Sequence, residues 1–239
     1  MNEAELRRAL VDTAIAAQHE GLNRGASGNL SVRCGAGFLI TPSGMAPTEQ
    51  TPDDMVWMDF AGNAHFPHPC PPPQEGEGDE GSRREFPVNS QRKPSSEWRF
   101  HRDLYVARSE FGAVLHAHST FATTLACLGR DIPPFHYMIA AAGGKTIRCA
   151  PYATFGTQEL SGHAITAMEG RKACLLANHG LLVAETGLER ALALAVEVES
   201  LCEQYCRTLQ IGTPKLLSDA EMDVVLEKFK SYGQNAQKT

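Results

Sequence analysis

The stretch SSEWRFHRDLYVARSEFGAVLHAH, residues 95–118, is the most informative part of the sequence for both structure and chemistry. It begins with two serines and a glutamate before an amphipathic segment, and it ends in the apolar segment 112–118 with an H-x-H pair. Side chains alternate between the two faces of a strand, so His116 and His118 project from one face of the predicted strand. Two imidazoles at this spacing can share a metal ion. Two histidines on a half-exposed strand face would give the same pattern.

A third histidine favours the metal. Residues 173–184 predict two apolar strands that join at Asn178-His179-Gly180. A buried histidine at such a turn needs a polar partner, and a metal ion is a suitable one. Three imidazoles that leave one coordination position open are typical of catalytic zinc. Glu97 is then the nearby acid–base group.

Two segments predict an anion site. In the loop of residues 25–33, Gly28 permits positive φ and Asn29 offers an amide donor. Ser95 and Ser96 stand at a predicted helix start, where hydroxyls and backbone N–H groups favour an anion. A plain turn and a plain serine cap would give the same patterns. Beside a metal and a carboxylate, however, these segments indicate a small phosphorylated sugar as the substrate.

Composition excludes several classes of protein. The chain has 239 residues, a net charge of −6 and no basic block, so it carries no electrostatic footprint for nucleic acid. No apolar run approaches the length of a membrane span, and residues 1–5 do not resemble a signal peptide. The seven cysteines include no C-x-x-C pair, which predicts reduced thiols in a cytoplasmic protein.

Residues 64–93 differ from the rest of the chain, because they are rich in proline, glycine and charge. This composition predicts a mostly disordered insert that buries very little apolar surface. His65, His68 and Cys70 could be imagined as metal ligands, but a proline-rich loop is a poor scaffold for a metal site. His101 is interpreted as a packed helix histidine rather than a ligand.

Strand patterns cluster in the middle of the chain and helix patterns at both ends, with T-x-x-E and S-x-x-E capping boxes at Thr186 and Ser218. This order predicts one α/β domain over residues 1–239, with a central, mainly antiparallel sheet flanked by helices. His136 and Tyr137 lie near the edge of a predicted strand, and either could simply pack in the core.

Seven stretches, taken together, are identifiable: GLNRGASGNLSVR, LITPSG, PSSEWRFHRDLY, AVLHAHS, PPFHYMIAAAGGKTIRCAPYATFGTQELS, NHGL and LSDAEMDVVLEKFKSYG. The chain resembles the class II aldolase/adducin family, and within it the branch that acts on L-fuculose 1-phosphate. The resemblance covers nearly everything except residues 63–93. It implies a three-layer sandwich that assembles as a cyclic homotetramer, with active sites between subunits and one zinc ion per subunit.

The resemblance also implies roles for particular residues. His116, His118 and His179 match zinc ligands, and Glu97 matches an acid–base residue that can also take the fourth metal position. The positions that match phosphate-binding residues are Gly28, Asn29, Ser43, Gly44, Ser95 and Ser96. Tyr137 matches a tyrosine that handles the proton on the aldehyde oxygen across a subunit contact, and Tyr232 matches one in a tail that reaches the site.

The implied activity is cleavage of a ketose 1-phosphate to dihydroxyacetone phosphate and an aldehyde through a zinc-stabilised enediolate. L-Fuculose 1-phosphate, which gives L-lactaldehyde, is the leading substrate, and 5-deoxyribulose or 5-methylthioribulose 1-phosphate is the alternative. Sugar-phosphate 4-epimerases and dehydratases with similar metal sites are more remote alternatives. A non-catalytic module like the adducin head is the rival from another class, but it would not need three histidines and Glu97.

Three features depart from the family pattern. The insert before Ser95 has no counterpart, and it could alter access to the pocket. The loop before Gly28 reads Ala26-Ser27, which moves a hydroxyl by one place. Asn178 precedes the third predicted ligand where the related enzymes have another histidine.

Overall fold

The computed structural model of the chain describes residues 1–65 and 92–230. Eight strands in this part of the chain form one sheet, in the order β4-β3-β2-β1-β5-β8-β7-β6. Neighbouring strands are antiparallel except β6 and β7, which are parallel. The strands are β1 (Asn29–Cys34), β2 (Gly37–Ile40), β3 (Val56–Asp59), β4 (Ala64–His65), β5 (Ala113–Ala117), β6 (Arg148–Ala150), β7 (Ala173–Leu176) and β8 (Gly180–Glu185).

Helices cover both faces of the sheet. They are α1 (Glu3–His19), α2 (Trp98–Ala107), α3 (Thr120–Ala126), α4 (Gln158–Ala167), α5 (Leu188–Ile211) and α6 (Asp219–Lys230). Buried residues of α1, α3, α5 and α6 form one core with one face of the sheet. Those of α2 and α4 form a second core with the other face. The predicted α/β domain with a mainly antiparallel sheet between helical layers is therefore confirmed.

The alternation along β5 decides where its histidine points. Leu115 belongs to the core under α1, α3 and α5, whereas Val114 belongs to the core under α2 and α4. Side chains two residues apart share a face of a strand, so His116 lies on the same side as Val114. That is the side of α2, whose first turn follows Glu97.

Several local predictions need correction. Helix α2 begins at Trp98 with Glu97 as its N-cap, so Ser95 and Ser96 lie in the turn before the helix. Tyr137 does not lie at a strand edge but opens a short 3₁₀ helix, Tyr137–Ala142. The capping box predicted at Thr186 is absent, because α5 begins after Gly187 without a side-chain cap.

The capping box at Ser218 is confirmed. The Ser218 backbone N–H donates to the Glu221 carboxylate at 2.7 Å, and the Glu221 backbone N–H donates to Ser218 Oγ at 3.3 Å.

The first and last residues of the predicted insert are described, and they bond to the rest of the domain. Ala64–His65 form β4 beside β3. Arg92 Nε donates to Asp54 Oδ1 at 2.8 Å, and the carbonyl of Lys93 accepts from Ser43 N–H at 3.0 Å. The rest of the insert, including His68 and Cys70, lies outside the described residues, as does Tyr232.

Among the described helices, none is long and apolar enough to cross a membrane. Cys127, Cys149, Cys174, Cys202 and Cys206 are free thiols. Cys174 and Cys202 are buried in the two cores, as the apolar pattern around them predicts.

Candidate active site

Three histidines from two segments meet at one end of the sheet. His116 lies in β5, His118 follows the end of that strand, and His179 lies in the turn between β7 and β8. Because β8 pairs with β5, with Leu182 opposite His116, the β7–β8 turn lies beside the end of β5. Asn178 adopts a φ of 55°, a left-handed conformation that asparagine tolerates better than most residues. The turn can therefore present His179 to the other two histidines.

Glu97 completes this group, and we call Glu97, His116, His118 and His179 the histidine cluster. Their four candidate ligand atoms all lie within 4.8 Å of one another. The Nε2 atoms of His116 and His118 are 2.9 Å apart. The carboxylate bridges two rings, with Oε2 at 3.2 Å from His116 Nε2 and Oε1 at 3.2 Å from His179 Nε2.

The ring nitrogens of the cluster are arranged as metal ligands. His116 Nδ1 lies 2.9 Å from the Leu181 carbonyl, so Nδ1 carries the hydrogen and donates it. The lone pair of a neutral His116 is then on Nε2 and points toward His118 and Glu97. Burial lowers the pKa of His116 to about 3 and that of His179 to about 4, and it also lowers the pKa of His118. All three rings are therefore neutral near pH 7, the form that binds metals.

A metal ion fits this set of donors. Two nitrogens bound to one tetrahedral zinc at about 2.1 Å would be separated by about 3.4 Å, close to the observed 2.9–3.2 Å contacts. Within the described residues, Glu97 Oε1 is buried and has no hydrogen-bond partner. A buried carboxylate oxygen without a donor is costly. A cation among these atoms would satisfy both the carboxylate and the converging lone pairs.

Two side chains outside the cluster hold the backbone around His118. Asn23 Oδ1 accepts the His118 N–H at 3.0 Å. The Glu199 carboxylate of α5 accepts from Ser119 Oγ at 2.6 Å and from the backbone N–H groups of Phe121 and Ala122 at 2.8 Å. Glu199 thereby caps the first turn of α3 and fixes the chain just after the H-x-H pair.

The predicted phosphate-binding residues come from three segments that hydrogen bonds join. Thr41 N–H donates to the Leu30 carbonyl at 3.0 Å, which links the Gly28–Asn29 segment to the end of β2. Ser95 N–H donates to the Thr41 carbonyl at 3.1 Å, which brings the two serines to the same place. Ser43, Gly44 and Ser96 are exposed, whereas Asn29 and Ser95 are buried.

Gly28 is required by its surroundings. Its φ is +77°, and a Cβ there would lie 2.3–2.5 Å from the side chain of Asn23. Any larger residue would displace Asn23, which also accepts from the His118 N–H. The Asn23 side chain therefore packs against the predicted phosphate loop and also hydrogen-bonds the backbone of the histidine cluster.

One predicted residue, Tyr137, is not brought to the cluster of its own chain. Tyr137 is 50% exposed, and among the described residues its ring contacts His136 but neither Glu97 nor a cluster histidine. Tyr232 lies outside the described residues. A groove of about 1080 Å³ lies elsewhere, between α1 and the start of α5, and it contains no residue of the histidine cluster.

Sequence reasoning missed polar residues that lie behind Glu97. His101 is fully buried, and both of its ring nitrogens make hydrogen bonds, to Ser31 Oγ at 2.7 Å and to Asn29 Oδ1 at 2.6 Å. The prediction that it is a packed helix histidine is correct, but its polar partners were not predicted. The available signal was spacing, since Glu97, His101 and Tyr105 recur every four residues and Asn29 and Ser31 are two apart.

Comparisons with known proteins agree with this geometry. The profile of the family described as class II aldolase and adducin N-terminal domain matches residues 8–206. The chain belongs to the class II aldolase and adducin family. Together with the aldolase relatives described next, this confirms the predicted type of enzyme, a metal-dependent aldehyde-lyase.

The relatives divide between two activities. The chain is 52% identical to the 5-methylthioribulose-1-phosphate/5-deoxyribulose-1-phosphate aldolase of Rhodospirillum rubrum, covering 97% of this chain and 94% of the relative. It is 46% identical to the L-fuculose phosphate aldolase of Escherichia coli, covering 98% of each chain. A solved L-fuculose 1-phosphate aldolase structure matches with a TM-score of 0.81 and 40% identity, over 95% of this chain and 96% of that one.

Proposed function

We propose that this chain is a zinc-dependent aldolase that cleaves a ketose 1-phosphate between C3 and C4. The products are dihydroxyacetone phosphate and an aldehyde. One arrangement of atoms carries the proposal, namely the buried Glu97 carboxylate, which lies 3.2 Å from two imidazoles of the histidine cluster. The segments proposed to bind phosphate come together next to it, because Asn29 Nδ2 donates to Glu97 Oε2 at 2.9 Å.

Each group of proposed residues has a separate role in cleavage. The substrate phosphate binds to the segments around Gly28–Asn29, Ser43–Gly44 and Ser95–Ser96. The hydroxyl on C4 loses its proton as the C3–C4 bond breaks, the aldehyde forms at C4, and the bond's electron pair remains on the C1–C3 fragment. Glu97 takes up a proton from water and delivers it to C3, which balances the proton released from the C4 hydroxyl. When bound by His116, His118 and His179, one zinc ion per chain supplies Lewis-acid stabilisation for the negative charge that develops.

Tyr137 is proposed to pass the C4 hydroxyl proton on to water, releasing its own phenolic proton as it accepts that of the substrate, and it would do so in the site of a neighbouring subunit. Its 50% exposure and its separation from the cluster of its own chain support this arrangement. We therefore propose a homotetramer with active sites between subunits, in which Tyr232 reaches the site from the tail. The free thiols support the proposed cytoplasmic location.

A Glu97→Gln variant tests the assignment of the base. Its three histidines should still hold zinc, but its amide cannot accept and return the C3 proton. Exchange of the C3 proton of dihydroxyacetone phosphate and cleavage should each fall by about 10²–10⁴-fold. Zinc content by mass spectrometry and deuterium uptake by NMR are the measurements. The exposed Glu159→Gln is the matched control. Rapid exchange by a zinc-loaded Glu97→Gln enzyme would place the base elsewhere.

The aldehyde half of the substrate is tested separately. L-Lactaldehyde is the product expected from L-fuculose 1-phosphate, acetaldehyde from 5-deoxyribulose 1-phosphate, and methylthioacetaldehyde from the methylthio sugar. The 52% identity to the Rhodospirillum rubrum enzyme favours the last two, and the 46% identity to the Escherichia coli enzyme favours the first. The kcat/KM for condensation of dihydroxyacetone phosphate with each aldehyde will rank the three. Failure to use any of them would contradict the proposed function.

A further inference from the structure

A continuous line of buried side chains runs from Glu97 into the space between β1 and α2, and we call it the polar chain. Tyr105 Oη lies 2.8 Å from Ser31 Oγ, which lies 2.7 Å from His101 Nδ1. His101 Nε2 lies 2.6 Å from Asn29 Oδ1, and Asn29 Nδ2 lies 2.9 Å from Glu97 Oε2. No residue of the polar chain is more than 6% exposed.

Two periodicities build this line. Glu97, His101 and Tyr105 are four residues apart and lie one above the other on the α2 side. Asn29 and Ser31 are two residues apart and lie on one face of β1. Helix and strand therefore place five polar side chains in alternation, at the same depth as the second apolar core.

The direction of every hydrogen bond follows from Glu97. Asn29 donates from Nδ2 to Glu97 Oε2, so the amide presents Oδ1 to His101. His101 must then donate from Nε2, and its unprotonated Nδ1 must accept from the Ser31 hydroxyl. The Ser31 oxygen is left to accept from the Tyr105 hydroxyl. All donors thus point toward the carboxylate, an order in which each bond polarises the next.

We propose that His101 is a positioning residue that fixes the orientation of the Asn29 amide and, through it, the Glu97 carboxylate. An amide has nearly the same shape after a 180° rotation, so packing alone does not select which of its atoms faces Glu97. The Glu97 carboxylate accepts from Nδ2 on one side, and the His101 Nε2–H fixes Oδ1 on the other, because this group can bond Oδ1 but not Nδ2. Without His101, the Asn29 oxygen loses its donor from α2, so the amide is held only at Nδ2 and can tilt away from the Glu97 carboxylate.

The kinetic part of this inference rests on the proposed aldolase function. Asn29 Nδ2 carries two hydrogens, and one of them donates to Glu97. The second is left for the phosphate of the substrate. His101 would therefore align the base with the bound phosphate, although it contacts neither the substrate nor the cluster histidines by a hydrogen bond in the described structure.

Neutron diffraction from deuterated crystals of the zinc-loaded protein tests the direction of the polar chain without reference to activity. Deuterium is expected on His101 Nε2, on Ser31 Oγ facing His101, and on Tyr105 Oη facing Ser31. Deuterium on His101 Nδ1 would overturn the inference, because the Asn29 amide would then be oriented by something else.

Two substitutions of His101 test its effect on Glu97. His101→Phe keeps a ring that can stack on Phe100, as His101 does at 4.8 Å between centroids, but it cannot bond Asn29. Its kcat for C3 proton exchange should fall about 10–100-fold, with a smaller change in KM and full zinc content. His101→Gln keeps an amide donor for Asn29 and should recover most of this loss. Equal loss in both variants, or an unchanged rate in His101→Phe, would overturn the inference.

The spectrum of cobalt-substituted protein tests the position of Glu97 whether or not the protein is an aldolase. The visible spectrum of bound cobalt without substrate should report whether Glu97 occupies the fourth position. His101→Phe should shift this spectrum toward that of Glu97→Gln, and His101→Gln should resemble the wild type. An unshifted His101→Phe spectrum would count against positioning even if the enzyme used no ketose phosphate.

Ser161→Ala is the matched control for Ser31→Ala, because both serines are fully buried and hydrogen-bonded. The melting temperature should fall by a similar amount in both variants. Only Ser31→Ala, which leaves His101 Nδ1 without a donor, should slow proton exchange, by a few-fold. If proton exchange slows equally in the two variants, Ser31 contributes only to packing and the inference is overturned.

Discussion

The histidine cluster and the polar chain show two different ways in which this protein buries histidines, and they meet at Glu97. In the cluster, ring nitrogens face one another and the Glu97 carboxylate. In the polar chain, each nitrogen of His101 faces its own hydrogen-bond partner. Burial lowers the pKa of His101 just as it lowers that of His116. Burial and pKa therefore do not distinguish a ligand from a structural histidine, whereas the partners of the ring nitrogens do.

This difference predicts that loss of a ring removes zinc from the histidine cluster, whereas loss of the His101 ring leaves the zinc content unchanged. His116→Ala should lose zinc and activity together, because two imidazoles hold the ion far less well than three. The loss of C3 exchange should at least equal the 10²–10⁴-fold expected for loss of the base alone. Metal analysis and deuterium exchange are the measurements, with the exposed His19→Ala as control. If His116→Ala protein keeps one tightly held zinc, the assignment of the cluster as the metal site is wrong.

Removal of the metal should also distinguish the histidine cluster from the polar chain. An ion at 100 times its Kd stabilises the folded state by about 2.7 kcal/mol. For a chain of this size, each kcal/mol corresponds to about 2–4 °C in Tm, so chelation should lower Tm by about 5–10 °C. His118→Ala should abolish the response to chelator, and His101→Phe should retain it. A chelator response that disappears in His101→Phe would show that the polar chain itself supports the metal.

The smallest effect is expected at the far end of the polar chain. Tyr105→Phe keeps the ring contacts with Phe38 and Arg33 but removes the hydrogen that Ser31 accepts. The free energy of unfolding should fall by about 1 kcal/mol, the usual value for one hydrogen bond, as measured by urea denaturation. Proton exchange should remain within a few-fold of wild type, since the His101–Asn29 bond is intact. A loss as large as that of His101→Phe would mean that the hydroxyl does more than support Ser31.

Much of the cluster could be predicted because its signals are local. The H-x-H pair places two rings on one face of a strand, and the apolar sequences around residues 178–180 place a third in a tight turn. The start of α2 was less predictable. Two serines are good helix caps in isolation, but Ser95 is held by its backbone bond to Thr41. Its hydroxyl accepts from the Glu97 N–H at 3.3 Å, and the helix begins at the next residue.

Tertiary contacts with distant residues also decide the environment of His118. Its backbone N–H bonds Asn23, which is 95 residues away in the chain, and the helix after it is capped by Glu199 from α5. Asn23 lies in a loop and Glu199 within a long helix, and no local sequence pattern predicts that either residue holds this segment.

The α/β fold could be predicted from the order of strand and helix patterns, and the three histidines, Glu97 and Gly28 from motifs within short segments. The line of Asn29, Ser31, His101 and Tyr105 to Glu97 could be seen only in the folded protein. The bonds of this line join residues 68–74 positions apart. A strand period and a helix period each place polar side chains on a face, but the packing of α2 onto β1 determines which atoms of the two faces meet.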